Sequence, residues 1–321
     1  MDARISQISL RSAALSVADL VLPRVCIVCG RTLLLSEMHL CTACAADLPR
    51  TFFAGVRENP MAEAFNSLIE RELAGSRPRR ACPPPDTGRG RGPALLGGAG
   101  VSVANGVPTG PGSMPAVQPY SYAAALFYYR GDSPYSRIPQ ALKYGRNFEA
   151  GRHFARMLGR ELADSPLFAD VDAVIPVPLH WLRRWRRGYN QAEVIARGIA
   201  EGFAEGFAAD SDSTRSVIPV LTGVLRRVRR TRTQTRLDAA GRYGNVRSAF
   251  VADCRCLASK LAAAVSPDLP GHLLLVDDVF TTGATLLACE RALRAGLAAA
   301  FGPETSSSVR ISLAALAYVG R

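Results

Sequence analysis

The segment LLLVDDVFTTGATL, residues 273–286, combines two adjacent carboxylates with a turn rich in threonine and glycine. Asp277 and Asp278 offer oxygens that accept hydrogen bonds from neighbouring hydroxyl groups. The turn presents hydroxyls and backbone N–H groups at the start of a helix, where the helix dipole favours an anion. Its residues are Thr281, Thr282, Gly283, Ala284 and Thr285. A ribose 5-phosphate satisfies both halves, because it carries a phosphate and vicinal hydroxyls.

The elements that position these residues are indicated by the flanking sequence. The apolar run HLLLV at 272–276 predicts a buried strand that reaches Asp277, and a helix is predicted over 285–295. The turn lacks the lysine of a GxxxxGK nucleotide-binding loop, and the chain has no GxGxxG pattern. The alternative interpretation is an ordinary strand end with exposed acids and a helix cap.

Four of the eight cysteines form two CxxC pairs that are separated by eleven residues. The pairs are Cys26 with Cys29 and Cys41 with Cys44. Each pair can offer two thiolates to one tetrahedral zinc ion. Disulfides are the alternative, and the lack of a secretion signal disfavours them. The remaining cysteines are expected to be free thiols: Cys82, Cys254, Cys256 and Cys289.

The positive charge of the chain is carried almost entirely by arginine. The formal net charge is +12, and Lys143 and Lys260 are the two lysines of the sequence. Arginine is concentrated at 183–187 and 226–236. A guanidinium group presents a planar fork of donors that matches phosphate oxygens, so these clusters favour phosphate binding. A general compositional bias towards alanine, glycine and arginine is the alternative.

Composition divides the chain into three parts. Residues 74–119 contain 19 glycines or prolines among 46 positions, which is typical of a flexible linker. Residues 1–73 hold the cysteine pairs, and residues 120–321 form the main domain. Strands are predicted at 122–129, 172–179, 272–279 and 309–319, with helices at 149–163 and 190–207. Uncharged strands that alternate with helices indicate an α/β fold with a parallel sheet.

The N-terminal segment 5–26 is the candidate for targeting. Arg11 and Asp19 interrupt its apolar residues, which recur at helical spacing. We therefore predict an amphipathic helix rather than a signal peptide. No run approaches the roughly 20 apolar residues that cross a bilayer, so a cytoplasmic protein without a membrane span is expected.

The acid and threonine segment closely resembles the phosphoribosyl pyrophosphate (PRPP) loop of type I phosphoribosyltransferases. The segments 174–200, 225–250 and ALKYGR at 141–146 narrow the resemblance to the ComF family, which is associated with natural competence. This resemblance implies a Rossmann-like phosphoribosyltransferase core with a mostly parallel sheet and an N-terminal zinc ribbon.

The resemblance also implies roles for individual residues. Asp277 and Asp278 would hold the ribose as the catalytic acid pair together with Mg²⁺, and the turn 281–285 would bind the 5-phosphate. A turn at 176–180 would lie where such folds bind pyrophosphate, and 226–247 would be a flexible loop that closes over PRPP. The residues that match these two regions are His180, Arg187, Asn190, Gln191, Arg229, Gln234, Arg242 and Asn245.

Three functions are compatible with this sequence. The first is Mg²⁺-dependent transfer of phosphoribose from PRPP to an unidentified acceptor, in a protein that acts in DNA uptake. The second is a non-catalytic module that binds PRPP or a nucleotide and single-stranded DNA, together with other competence proteins. In that case Trp181, Trp185 and Tyr189 would stack on bases, although packing of an amphipathic helix also explains the tryptophans. The third is a zinc-ribbon scaffold without ligand binding.

Overall fold

A computed structural model of the chain describes residues 23–75, 118–144, 147–209, 217–228, 249–264 and 271–320. Within these ranges helices α1 to α9 span Thr42–Ala46, Pro60–Gly75, Arg137–Tyr144, Phe148–Ala163, Trp181–Arg187, Gln191–Ala209, Cys254–Ala264, Ala284–Phe301 and Pro303–Ser308. Strands β1 to β6 span Ala123–Tyr128, Ala173–Pro176, Leu225–Arg227, Phe250–Ala252, His272–Phe280 and Arg310–Tyr318. The predicted N-terminal helix and most of the predicted linker lie outside the described residues.

Four parallel strands form the central sheet in the order β1-β6-β5-β2. Nearly every residue of these strands is buried, as expected for a parallel sheet that is covered on both faces. A separate antiparallel pair is formed by β3 and β4. The predicted α/β fold with a mostly parallel sheet is therefore confirmed.

The lengths of β2 and β5 create the site described below. β5 pairs with β2 as far as Val276, opposite Pro176, and with β6 as far as Phe280. β2 ends there because Pro176 and Pro178 have no N–H group to donate. The apolar run reaches Asp277, and the predicted strand 272–279 ends one residue before β5 does at Phe280. Asp277 and Asp278 thus lie on a strand segment that extends beyond β2.

Glycines allow α4 and α6 to pack closely. A Cβ atom added to Gly202 would lie 2.3 Å from the backbone oxygen of Arg156, and one added to Gly159 would lie 2.2 Å from that of Ile199. Arg152 pairs with Glu201 across the same interface. Gly159 and Gly202, which lower helix propensity, therefore form the contact surface of this helix pair.

The segment that precedes the predicted linker packs on the sheet domain. Asn59 donates from Nδ2 to the backbone oxygen of Ala123 at 2.8 Å. Asn66 exchanges two hydrogen bonds with Ser121, at 2.8 and 3.0 Å. Leu68 of α2 lies next to Gly283. Residues 59–75 are therefore part of the wall that supports the acid and threonine segment.

A polar chain that is buried at His272 and Ser312 and exposed at Asp170 lies at the amino-terminal end of the sheet. His272 Nδ1 lies 2.6 Å from Asp170 Oδ1, and His272 Nε2 lies 2.7 Å from Ser312 Oγ. The order of these groups is that of a hydrolase relay. However, Ser312 is fully buried and also accepts a hydrogen bond from the backbone N–H of Tyr122. A substrate carbonyl cannot reach it, so the chain of contacts joins β5, β6 and the loop before β2.

No helix among the described residues is both long and apolar enough to cross a membrane.

Candidate functional site

A cleft of about 250 Å³ opens at the carboxyl ends of β2 and β5. Ligands of open α/β sheets bind outside these strand ends. The cleft brings together segments that are distant in sequence, and it is lined by Lys143, Val177, Pro178, Leu179, Arg187, Asn190, Gln191, Ala192, Arg227, Asp277, Asp278 and Thr285. Three cationic side chains and two carboxylates therefore face one small space.

The acid pair lies at the base of this cleft. The backbone N–H of Asp278 donates to Asp277 Oδ1 at 2.9 Å. Burial and the negative charge of Asp278 raise the pKa of Asp277 from 3.8 to about 7. The two carboxylates therefore repel each other in a partly buried place, and a cation or hydroxyl donors would stabilise them.

Two cations of the cleft were not assigned as site residues from the sequence. Lys143 Nζ lies 3.0 Å from Asp278 Oδ2, and both side chains are largely buried. Arg227 belongs to β3 and lines the same cleft. Lys143 belongs to the ALKYGR segment and Arg227 to the arginine cluster at 226–236. Neither pattern shows which groups these side chains contact.

The segment after β2 forms the opposite wall. Arg187 donates to Gln191 Oε1 at 3.0 Å, and Asn190 Nδ2 donates to the backbone oxygen of Val177 at 3.0 Å. Gln191 is 3% exposed, and its amide Nε2 is a buried donor with no acceptor among the described residues. A buried donor without an acceptor is costly, so this amide indicates that a ligand oxygen belongs here.

His180 has a different environment from its predicted neighbours. Its Nδ1 accepts a hydrogen bond from the backbone N–H of Leu182 at 3.3 Å and thereby caps α5. The side chain is buried and is not among the cleft-lining groups. The structure thus brings together Arg187, Asn190 and Gln191, but not His180.

The threonine and glycine turn connects β5 to α8. Gly283 is the N-cap of α8, with φ of 73°, a left-handed conformation that favours glycine. A Cβ atom here would lie 3.0 Å from Leu68 Cδ1 and from Phe280 Cζ. Thr285 lines the cleft, whereas Thr281 and Thr282 are exposed and are not among the cleft-lining residues, and Ala284 is half-buried. The turn is therefore a helix start with one threonine, Thr285, that lines the acid pair's cleft.

Four residues of the predicted flexible loop lie outside the described residues, namely Arg229, Gln234, Arg242 and Asn245. β3 and β4 flank this loop and bring its two ends together, since Arg227 pairs with Phe250. The predicted role of these four loop residues stays a prediction.

The four paired cysteines converge at a second place. The Sγ atoms of Cys26, Cys29, Cys41 and Cys44 all lie within 4.8 Å of one another. The sulfurs of Cys29 and Cys41 are 3.7 Å apart, close to the ~3.8 Å that follows from four Zn–S bonds of about 2.3 Å in a tetrahedron. The cysteines are free thiols rather than disulfides. The cluster therefore fits one metal ion and is compatible with the predicted zinc ribbon.

Local structure positions each cysteine pair. The first pair lies in a hairpin turn, where Gly30 has φ of 76° and donates to the backbone oxygen of Cys26 at 2.8 Å. Cys41 is the N-cap of α1, which contains Cys44. Burial raises the pKa of Cys26, but the backbone N–H groups of Cys29, Cys41 and Val28 outweigh this and lower the pKa to about 6. A thiolate is the form that binds a metal.

The other cysteines in the described residues are not part of a metal cluster. Cys254 and Cys256 are half-buried free thiols of α7, and Cys289 is a buried free thiol of α8. This agrees with their expected state. Cys82 lies outside the described residues.

Helix α5 presents aromatic and basic side chains to solvent. Trp181 and Trp185 are one helical turn apart, with 67% and 81% exposure. Arginines occupy the last turn of the same helix. The packing interpretation of the tryptophans is therefore wrong. Tyr189 differs, because its ring packs against Phe148 with centroids 4.3 Å apart.

The comparisons with known proteins find relatives of one kind. The chain is 33% identical to "Competence protein F" of Haemophilus influenzae over 164 residues, which is 50% of this chain and 62% of that protein. It is 30% identical to "DNA utilization protein YhgH" of Salmonella typhi over 156 residues, 48% of this chain and 58% of the relative. The matched region thus spans about three fifths of these relatives.

The relationship extends to the YhgH protein of Escherichia coli K12, at 28% identity over 156 residues. No family model and no solved structure matches the chain. The competence and DNA utilization relatives support the predicted membership of the chain in the ComF family.

Proposed function

We propose that the cleft binds PRPP and that the protein is a phosphoribosyltransferase-like member of its family. The observation that carries this proposal is the convergence in one cleft of the acid pair, Thr285 and the segment 187–191. These groups offer acceptors for ribose hydroxyls and donors for phosphate oxygens. The unpaired amide of Gln191 supports the proposal, since a phosphate oxygen would satisfy it.

The reaction compatible with this arrangement is displacement at ribose C1. The C1–O bond breaks, its electron pair leaves with pyrophosphate, C1 takes oxocarbenium character, and an acceptor then bonds to C1. Arg187 and Arg227 would stabilise the negative charge that grows on the leaving group. Asp277 and Asp278 would orient the ribose through its 2- and 3-hydroxyls.

The donor set of the acid pair also fits Mg²⁺. Carboxylate oxygens are preferred ligands of this cation, and Mg²⁺ would neutralise charge between the carboxylates and the diphosphate. Burial and the charge of Asp278 raise the pKa of Asp277, and a bound cation would offset both effects.

Calorimetric titration with PRPP, with and without Mg²⁺, tests the proposal. We expect binding that depends on Mg²⁺. A subsequent assay of pyrophosphate release over a panel of nucleobases separates an enzyme from a binding module: release with one base shows turnover, and binding without release shows a module. Absence of PRPP binding under both conditions would refute the proposal.

A second candidate function, binding of single-stranded DNA, is favoured by the surface of α5. Exposed Trp181 and Trp185 can stack on bases, and Arg184, Arg186 and Arg187 can contact phosphates. Because the relatives are named for competence and DNA utilization, we infer that this surface acts during DNA uptake or use.

Replacement of both tryptophans tests this surface. Stacking is worth about 1–3 kcal/mol per base, so Trp181→Ala with Trp185→Ala should weaken binding of an oligothymidylate by at least about tenfold. Phe52→Ala is the matched control, because Phe52 is 65% exposed but lies outside α5. Wild-type affinity should also fall steeply between about 50 and 200 mM salt. Equal affinity of the double variant and the control would exclude this surface.

A further inference from the structure

We propose that Lys143 is a positioning residue that pairs with Asp278 in the ligand-free protein and transfers to pyrophosphate when a phosphoribosyl ligand binds. This inference rests on the proposed function. It assigns two positions to the Lys143 ammonium, one on Asp278 without a ligand and one on pyrophosphate with a ligand.

The ligand-free position is defined by the ion pair with the acid pair. Lys143 Nζ lies 3.0 Å from Asp278 Oδ2, and the two side chains are 28% and 18% exposed. The lysine therefore serves as an internal counter-ion for two carboxylates that would otherwise repel each other.

A bound ligand removes the reason for this pairing. The hydroxyls of a ribose, or a cation that accompanies it, need the oxygens of Asp278. Lys143 would then carry an unpaired charge in a largely buried place, which is costly. When the ligand occupies the carboxylate of Asp278, a new contact between the Lys143 ammonium and another anion would therefore be favourable.

The structure offers such a position within the same cleft. Val177, Pro178, Leu179 and Arg187 line the same cleft as Lys143. Pyrophosphate is proposed to bind along these residues. The four-carbon stem of lysine is flexible and its ammonium has three donors, so it can move from a carboxylate to a phosphate oxygen without movement of α3. An arginine could not exchange partners as readily, because its planar fork fixes the geometry.

A purely structural salt bridge predicts a different set of affinities. If Lys143 only stabilises the fold, its loss changes the affinity for all ligands of the cleft by the same factor. If Lys143 exchanges partners, its loss weakens the binding of pyrophosphate and leaves the binding of ribose 5-phosphate unchanged. In the second case Asp278 becomes more available to the ribose hydroxyls.

The experiment compares inorganic pyrophosphate and ribose 5-phosphate as separate probes, at one Mg²⁺ concentration, by calorimetry. Lys143→Met should weaken pyrophosphate binding by about 10- to 100-fold, the range of a lost hydrogen bond to a charged group, without weakening ribose 5-phosphate binding. Lys143→Arg should retain part of the pyrophosphate affinity. Lys260→Met is the matched control, because Lys260 donates to the backbone oxygen of Thr222.

Chemical labelling gives a readout that needs no variant. The chain has two lysines, so acetylation followed by mass spectrometry reports on each one separately. Ribose 5-phosphate should increase the labelling of Lys143, pyrophosphate should decrease it, and neither should change Lys260.

Equal loss of both affinities in Lys143→Met, or unchanged pyrophosphate binding and labelling, would overturn the inference. If the wild-type protein binds neither probe nor PRPP, the proposed function fails and the inference fails with it. The two failures are thus distinguished by the wild-type titrations.

Discussion

At the residue scale, the neighbouring carboxylates of the cleft have different surroundings. Asp278 is paired with Lys143, whereas burial and the charge of Asp278 raise the pKa of Asp277 to about 7. Asp278 therefore holds a counter-ion, and Asp277 retains a proton at pH values where an ordinary carboxyl group has lost it. This difference predicts how stability depends on pH.

We expect Asp277→Asn to stabilise the ligand-free protein at pH 8 but not at pH 4. The folded-state pKa is raised, so the unfolded chain loses the proton of Asp277 first and the unfolding free energy falls between about pH 4 and pH 7. Asparagine removes this titration, and the relative gain above pH 7 should be roughly 2–4 kcal/mol. Denaturant unfolding in Mg²⁺-free buffer at both pH values measures it. A pH-independent difference would contradict the assigned environment.

Sequence patterns predicted some cleft residues and missed others for a physical reason. Asp277, Asp278 and Thr285 follow one another along the chain, so their proximity follows from local structure. Lys143 meets Asp278 because α3 packs beside the end of β5, which no local pattern reports. For Trp181 the sequence pattern left the environment of the side chain open, because helical spacing fits both a packed and an exposed side chain. The structure shows that it is exposed.

At the element scale, the pair of helices α4 and α6 forms one wall of the domain. A Cβ atom on Gly202 would lie 2.3 Å from the backbone oxygen of Arg156 and 2.8 Å from Gly159 Cα. Backbone atoms cannot rotate away as side chains do. The short distance between these helices therefore depends on glycine.

Gly202→Ala should destabilise the protein by about 1–3 kcal/mol, the usual cost of overpacking, even though alanine is the better helix former. Chemical denaturation of the purified variant measures the change. Gly55→Ala is the control, because a Cβ atom at Gly55 would meet nothing within 4 Å. If the two variants are equally stable, the helices separate without cost and the packing argument is wrong.

The elements themselves were largely predictable, but their arrangement was not. Apolar runs and helical spacing gave β1, β5, β6, α4 and α6 to within a few residues, and α8 continues six residues beyond its predicted end. The strand order β1-β6-β5-β2 depends on contacts between distant segments. Alternation of strands and helices indicates a parallel sheet without giving that order.

At the scale of the whole molecule, the cysteine cluster is attached to the sheet domain. Arg137 donates to the backbone oxygen of Val28 at 2.7 Å, and the Tyr135 hydroxyl donates to that of Cys44 at 3.1 Å. Both acceptors lie within the cysteine-containing segment. The composition of the chain predicted a separate N-terminal part, and its boundaries stay a proposal.

We predict one zinc ion per chain, bound by Cys26, Cys29, Cys41 and Cys44. Cys26→Ser with Cys41→Ser should abolish zinc and lower the melting temperature of the chain, by roughly 2–4 °C for each kcal/mol of stability lost, because the metal site supports docked structure. Elemental analysis and thermal unfolding measure both effects. Cys254→Ser with Cys256→Ser removes the same number of thiols and should change neither. Unchanged zinc in the first variant would refute the assignment.

Binding of PRPP to the acid pair is the central claim, and calorimetric titration of wild type, Asp278→Asn and Asp164→Asn tests it most directly. Asparagine keeps the shape of Asp278 but removes its charge, so affinity should fall by roughly 10- to 150-fold. Asp164 is an exposed residue at the end of α4, and its variant should bind as wild type does. Thermal unfolding confirms that each variant is folded. A folded Asp278→Asn protein that binds PRPP as tightly as wild type would contradict the account.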